Sequence, residues 1–117
     1  MLSIQFYNLL LFIFFRIIMG LTKLTENEIQ ESLKELKGWS IQNGKLHKEM
    51  EFVDFDAVWE FMTQAVIEIQ KMNHHPEWFN VWNRLVIDLM THDVGGISQN
   101  DINLAKILDN LQGNTSL

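Results

Sequence analysis

The sequence predicts an α+β domain, a four-stranded antiparallel sheet with about three helices packed on one face. Three observations lead there. Apolar residues recur at helical spacing in three segments and alternate in four others, in the order helix, two strands, helix, two strands, helix. Asn43-Gly44 is a strong two-residue hairpin signal between two alternating runs. Each element has one apolar side to bury, and helices laid on a sheet bury them all.

The elements follow in order. Thr25-Glu26-Asn27-Glu28 is a capping box, in which the threonine hydroxyl and the glutamate satisfy reciprocal N–H groups. Ile29, Leu33 and Leu36 continue the pattern, so a helix is expected over about 26–37, ended by Gly38. Trp39 and Ile41, then Leu46, Met50 and Phe52, alternate on either side of Asn43-Gly44, predicting a hairpin of 39–42 and 45–52. Lys48 interrupts the apolar alternation and points to an edge or a twisted end. Asp54 is a good N-cap for a helix over about 55–72, whose expected apolar face is Phe55, Val58, Trp59, Met62, Val66, Ile69 and Met72. Strands are expected at 79–83 and 85–91, joined at Asn83-Arg84, with Leu85, Ile87 and Leu89 facing the core. Ser98-Gln99-Asn100-Asp101 is a second capping box, with aspartate in the last place. Ile102, Ala105, Leu108 and Leu111 then carry a helix toward Gly113.

The chain has 117 residues, 47% of them hydrophobic, which suits one domain with one core. The domain is expected over residues 21–117. Residues 1–20 form an apolar leader of different character, with Leu9 to Phe15 uninterrupted and Arg16 breaking the run. That run matches a signal-peptide core in length and falls short of the roughly 20 residues of a bilayer span. Three readings stay open: a targeting segment or weak anchor, an extension upstream of a start at Met19, and an ordered part of the fold. Only as a genuine anchor would the leader bring the chain to a membrane. The net charge of −6, with no cluster of Lys and Arg, argues against direct nucleic-acid binding. No cysteine is present, so disulfides and thiolate metal sites are excluded and the cytoplasm is the expected compartment.

The chemistry concentrates in Met72 to Trp82, MNHHPEWFNVW. His74 and His75 stand at a helix exit, and Pro76, lacking an N–H, forces its predecessor out of the α region. His92 lies at the far end of the last strand, which an antiparallel return brings toward that exit. Imidazoles exchange protons near neutral pH, so two or three around one pocket can protonate a leaving hydroxyl and deprotonate a neighbouring nitrogen. Trp78, Phe79 and Trp82 offer surfaces for a planar heterocycle. A bland reading stands beside this one. Histidines near helix ends are commonly caps or surface residues, and the tryptophans, Met62, Met72 and Met90 read as core or subunit contact. His47 reads as a strand surface residue, and Asp101 as a capping carboxylate. A three-histidine zinc site is disfavoured, because adjacent histidines lack the i, i+4 spacing that aims two ligands from one helix face.

The run NHHPEWFNVWNRLVIDLMTHDVGGISQNDINLA closely resembles the signature region of the pterin-4a-carbinolamine dehydratases, also called dimerisation cofactor of hepatocyte nuclear factor. The resemblance spans about Leu24 to Leu111, including the Gly38-Trp39 step, and leaves the leader outside. It implies a four-stranded antiparallel sheet with helices on one face. It also implies a hydro-lyase that dehydrates 4a-hydroxytetrahydropterin to quinonoid dihydropterin, without a cofactor or metal, in the recycling of tetrahydrobiopterin. Its catalytic histidines fall on His74, His75 and His92, and its aspartate on Asp101, which would orient His92 or the loop around it. Some relatives carry a glutamate four residues before the first histidine, where this chain has Gln70. A homodimer or homotetramer is implied. Two alternatives for this chain stay open beside that reading: a non-catalytic binding module, since animal relatives also stabilise dimers of a homeodomain transcription factor, and a pterin-binding relative serving another pathway.

Overall fold

The computed structural model describes residues 4–5, 7–11 and 21–114. From residue 21 it runs α1 (Glu26–Leu33), β1 (Ser40–Gln42), β2 (Lys45–Glu51), α2 (Phe55–Met72), β3 (Glu77–Val81), β4 (Arg84–Leu89), a 3₁₀ turn (His92–Val94) and α3 (Gln99–Asn114). The strands form one antiparallel sheet in the order β1-β2-β4-β3. This is the predicted architecture. The leader falls mainly on residues outside those described; residues 4–5 and 7–11 are helical, with Ile4 and Leu11 exposed. Among the described residues, no helix is long and apolar enough to cross a membrane.

Register follows from the period of two. Leu46 lies opposite Leu89 and Met50 opposite Leu85, so the apolar residues of both central strands share a face. Leu85, Ile87 and Leu89 are buried, and α2 and α3 close over them with Phe61, Ile69, Ile102 and Leu108. Phe52 meets Phe61 with ring centroids 5.3 Å apart. The opposite face carries the charge pairs of Lys45 with Glu77 at 2.7 Å and Arg84 with Glu49 at 2.8 Å, beside a half-buried hydrogen bond between His47 Nδ1 and Asp88 Oδ1 at 2.7 Å. The hydrogen-bonded Arg84 guanidinium holds the Glu49 carboxyl below the ordinary range. Such exposed pairs contribute little to stability.

The caps work as the sequence anticipates. Thr25 Oγ1 accepts from Glu28 N–H while Glu28 Oε1 accepts from Thr25 N–H, which also lowers the Glu28 carboxyl below its usual range. Asn43 and Gly44 both take positive φ, 53° and 75°, as a tight hairpin turn between right-twisted strands requires.

Three expectations need correction. First, α1 stops at Leu33. The chain to Leu36 tightens into three-residue bonds, such as Leu36 N–H to the Leu33 carbonyl, before Gly38 turns at φ 86°.

Second, the face that α2 buries is Ala57, Val58, Phe61, Ala65 and Ile69, while Phe55, Trp59 and Val66 are exposed. Two alanines lie on the buried side beside Phe61, and the stripe carrying Trp59 is left outside.

Third, the β3–β4 turn is centred on Trp82-Asn83, so β3 begins at Glu77 and β4 ends at Leu89. Trp82 takes φ 47°, an unusual place for a bulky residue. Asn80 fixes it there, its Nδ2 donating to the carbonyls of Trp82 and Arg84 at 3.1 and 2.8 Å.

Lys48 does stand at the edge that the sequence anticipates, where β2 runs past the end of β1, and it faces inward between Leu46 and Met50. Beyond His47, β2 has no partner on the β1 side among the described residues, because β1 ends its pairing at Ser40. Lys48 Nζ reaches Asp109 at 2.8 Å and the Lys37 carbonyl at 3.1 Å, and lies 5.8 Å from the centre of the Trp39 ring. Asp109 also accepts from the Trp39 indole N–H.

Asp109 thus serves one cation and one indole. Asp109→Ala is expected to lower the unfolding free energy by roughly 2 kcal/mol. Adding Lys48→Met should recover most of that loss, since it removes the stranded charge. Urea titration of the two variants checks this, and equal stability of Asp109→Ala and wild type would contradict it.

Candidate active site

The three sequence-nominated histidines meet at one end of the sheet. Two devices at the end of α2 place the first pair. Asn73 takes the left-handed conformation at φ 49°, with its N–H bonded to the Gln70 carbonyl at 3.2 Å. The N–H of His74 returns to the Ile69 carbonyl at 3.3 Å. This is a Schellman closure, so Asn73 ends the helix and Pro76 then directs the chain into β3. His92 is placed by the loop after β4. Thr91 N–H donates to the Gly96 carbonyl at 2.7 Å, and Gly95 supplies φ 65° between them.

His74, His75 and His92 line one cavity of about 210 Å³ together with Asn73, Met90, Thr91 and Asp93. His75 is also part of the wall of a neighbouring cavity of about 310 Å³, shared with Val66, Ile69, Gln70, Pro76 and Trp78. His75 Nε2 pairs with Gln70 Oε1 at 3.1 Å. Among the described residues, no group of three or more His, Asp or Glu is arranged to hold a metal ion.

Asp101 is the organising carboxylate. It has no exposure, and it stands where the second capping box predicts, accepting from Ser98 N–H at 2.9 Å. Its histidine partner is His74, with Nε2 at 2.5 Å from Oδ1, rather than His92. It also accepts from Thr91, the residue before His92, so it does hold that loop. A carboxylate only accepts, so His74 donates from Nε2, and in the Nε2–H tautomer Nδ1 carries no proton.

The aromatic candidates separate. Trp78 packs against the core and lines the neighbouring cavity. Phe79 alternates onto the outer face opposite Val86, and Trp82 stands at the far turn of the sheet; both are exposed. Met90, expected in the core or at a subunit contact, is cavity wall. The sequence reading passed over Thr91, Ser98 and Asp93. The signal available for Ser98 was its N-cap position, and for Thr91 its place beside His92.

The α+β sheet with one histidine-lined end defines the class of domain, and comparison with known proteins gives the family. Residues 22–111 match the family model described as pterin 4 alpha carbinolamine dehydratase. A Solibacter usitatus protein, named provisionally as a pterin-4-alpha-carbinolamine dehydratase, is 57% identical over 90 residues, covering 77% of this chain and 95% of its own. A Burkholderia orbicola protein with the same provisional name is 44% identical over 89 residues, covering 74% of this chain and 87% of its own. The crystal structure of a transcriptional coactivator/pterin dehydratase from Brucella melitensis superposes with a TM-score of 0.76 at 37% identity, covering 79% of this chain and all of that one. This chain belongs to the pterin-4a-carbinolamine dehydratase family.

Removing the Asp101 carboxylate strands three donors, those of His74, Thr91 and Ser98. Asp101→Ala is therefore expected to cost roughly 3 kcal/mol of stability in a denaturant titration. A loss below about 1 kcal/mol would show that those donors find other acceptors.

Proposed function

We propose that this chain is a metal-free hydro-lyase that converts 4a-hydroxytetrahydropterin to quinonoid dihydropterin in tetrahydrobiopterin recycling. The observation that carries this reading is the convergence of His74, His75 and His92 on one cavity, with His74 held by a buried carboxylate. Family membership supplies the reaction class. In the reaction the C4a–O bond breaks as the hydroxyl takes a proton and leaves as water. The N5 proton passes to an imidazole, and its electron pair forms the C4a–N5 double bond. Both proton transfers lie within reach of imidazole chemistry near neutral pH. In the Nε2–H tautomer, His74 suits the acceptor role. Of the aromatic candidates, Trp78 beside His75 is the proposed surface for the pterin; Phe79 on the outer face and Trp82 at the far turn stand apart from the histidine cavity.

The protein acts in the cytoplasm as a homodimer or homotetramer. The stripe Phe55, Trp59 and Val66 on α2, exposed in the single chain, supports self-association. A second reading, as a binding partner that stabilises a transcription factor, draws on that same stripe and on the coactivator description of the Brucella structure.

Purified protein is expected to accelerate loss of the carbinolamine absorbance. His75→Ala should reduce kcat by about 100-fold or more, given the usual size of general acid–base contributions. A chelator should leave the rate unchanged. Full activity in the double variant His74→Ala/His75→Ala would refute the reading, and partner capture without turnover would favour the second.

A further inference from the structure

The hydroxyls of Thr91 and Ser98 have no role in the reaction as written above, yet they are among the most enclosed polar groups of the domain. Thr91 is 5% exposed, and Ser98 and Asp101 are fully buried. Thr91 Oγ1 lies 2.8 Å from Asp101 Oδ2, and the Ser98 N–H donates to the same oxygen at 2.9 Å. The other oxygen, Oδ1, meets His74 Nε2. Thr91 has one hydroxyl proton, and the carboxylate takes it. The 2.7 Å contact between the two hydroxyls is then donated by Ser98. Ser98 Oγ in turn accepts from Asn100 N–H at 3.2 Å. Every proton in this chain has one destination.

The arrangement answers a specific mechanical problem. The terminal torsion of an aspartate is soft, so a carboxylate held at one oxygen turns readily about its own axis. Two donors on Oδ2, one from the β4 exit and one from the start of α3, remove that freedom and aim Oδ1 at the histidine.

We infer that Thr91 and Ser98 are positioning residues: their hydroxyl chain locks the plane of the Asp101 carboxylate and thereby keeps His74 in the Nε2–H tautomer, with Nδ1 as its proton acceptor. The kinetic consequence rests on the dehydratase reading; the tautomer consequence does not.

The test combines nitrogen NMR of the His74 ring with steady-state dehydration kinetics on the full chain. Wild type should show one tautomer, Nε2–H, with a slowly exchanging ring proton. In Thr91→Val that proton should exchange with water about tenfold faster, and kcat should fall about tenfold with KM within about twofold, the scale on which supporting hydrogen bonds act. Ser98→Ala should move both readouts in the same direction by less, and Thr91→Ser should restore both. An Nδ1–H or mixed tautomer in wild type would overturn the proposal without any variant. So would unchanged proton exchange in Thr91→Val, failure of Thr91→Ser to rescue, or a rise in KM alone, which would make Thr91 a substrate contact. Absence of turnover in wild type would refute the dehydratase reading and leave the NMR test of the hydroxyl chain intact.

Discussion

One buried carboxylate ties together three segments of the chain, one of them 27 residues away in sequence. Asp101 caps its own helix through Ser98, holds the end of the β4 strand through Thr91, and fixes the ring of His74 at the exit of α2. A buried charge of this kind is tolerated only when its lone pairs are satisfied, and here three donors satisfy them. The consequence is geometric. The end of one helix, the start of another and the closing loop of the sheet hold one relative placement, and the cavity lies between them.

The rest of the fold delivers those three segments to the same end. Antiparallel pairing of β3 with β4 sets Glu77 opposite Asp88, so the residues just before β3 and just after β4 must be neighbours. His74 and His75 precede the first strand, and His92 follows the second. The inward face of β4, fully buried, fixes this register, because a slip of one residue would turn Leu85, Ile87 and Leu89 outward. The histidines are thus brought together by apolar burial some distance away, and the polar network sets only their final orientation.

Much of this was legible in the chain. Both capping boxes, the Asn43-Gly44 turn and the inward alternation of β4 are local signals with local causes, and the elements they predict are present. The convergence of the histidines followed from antiparallel return alone. What was not legible depends on neighbours. The buried face of α2, with Ala57 and Ala65 inside and Trp59 outside, does not follow side-chain size. The Trp82 turn relies on Asn80, and the inward Lys48 on Asp109, which lies 61 residues away in sequence. Asp101 holds the loop before His92, one of the two roles expected of it, but its contact with His74 was not legible for the same reason: His74 and His92 flank one cavity, and sequence spacing does not distinguish which ring faces the carboxylate.

The central claim is that three imidazoles share one ligand. The most direct measurement is a titration of the full chain with a stable dihydropterin, following the ring resonances of all four histidines by NMR. The account predicts that His74, His75 and His92 shift together with a single dissociation constant, while His47, paired with Asp88 on the outer face of the sheet, stays in place. Shifts confined to one of the three, or a response at His47 with the others unmoved, would contradict it.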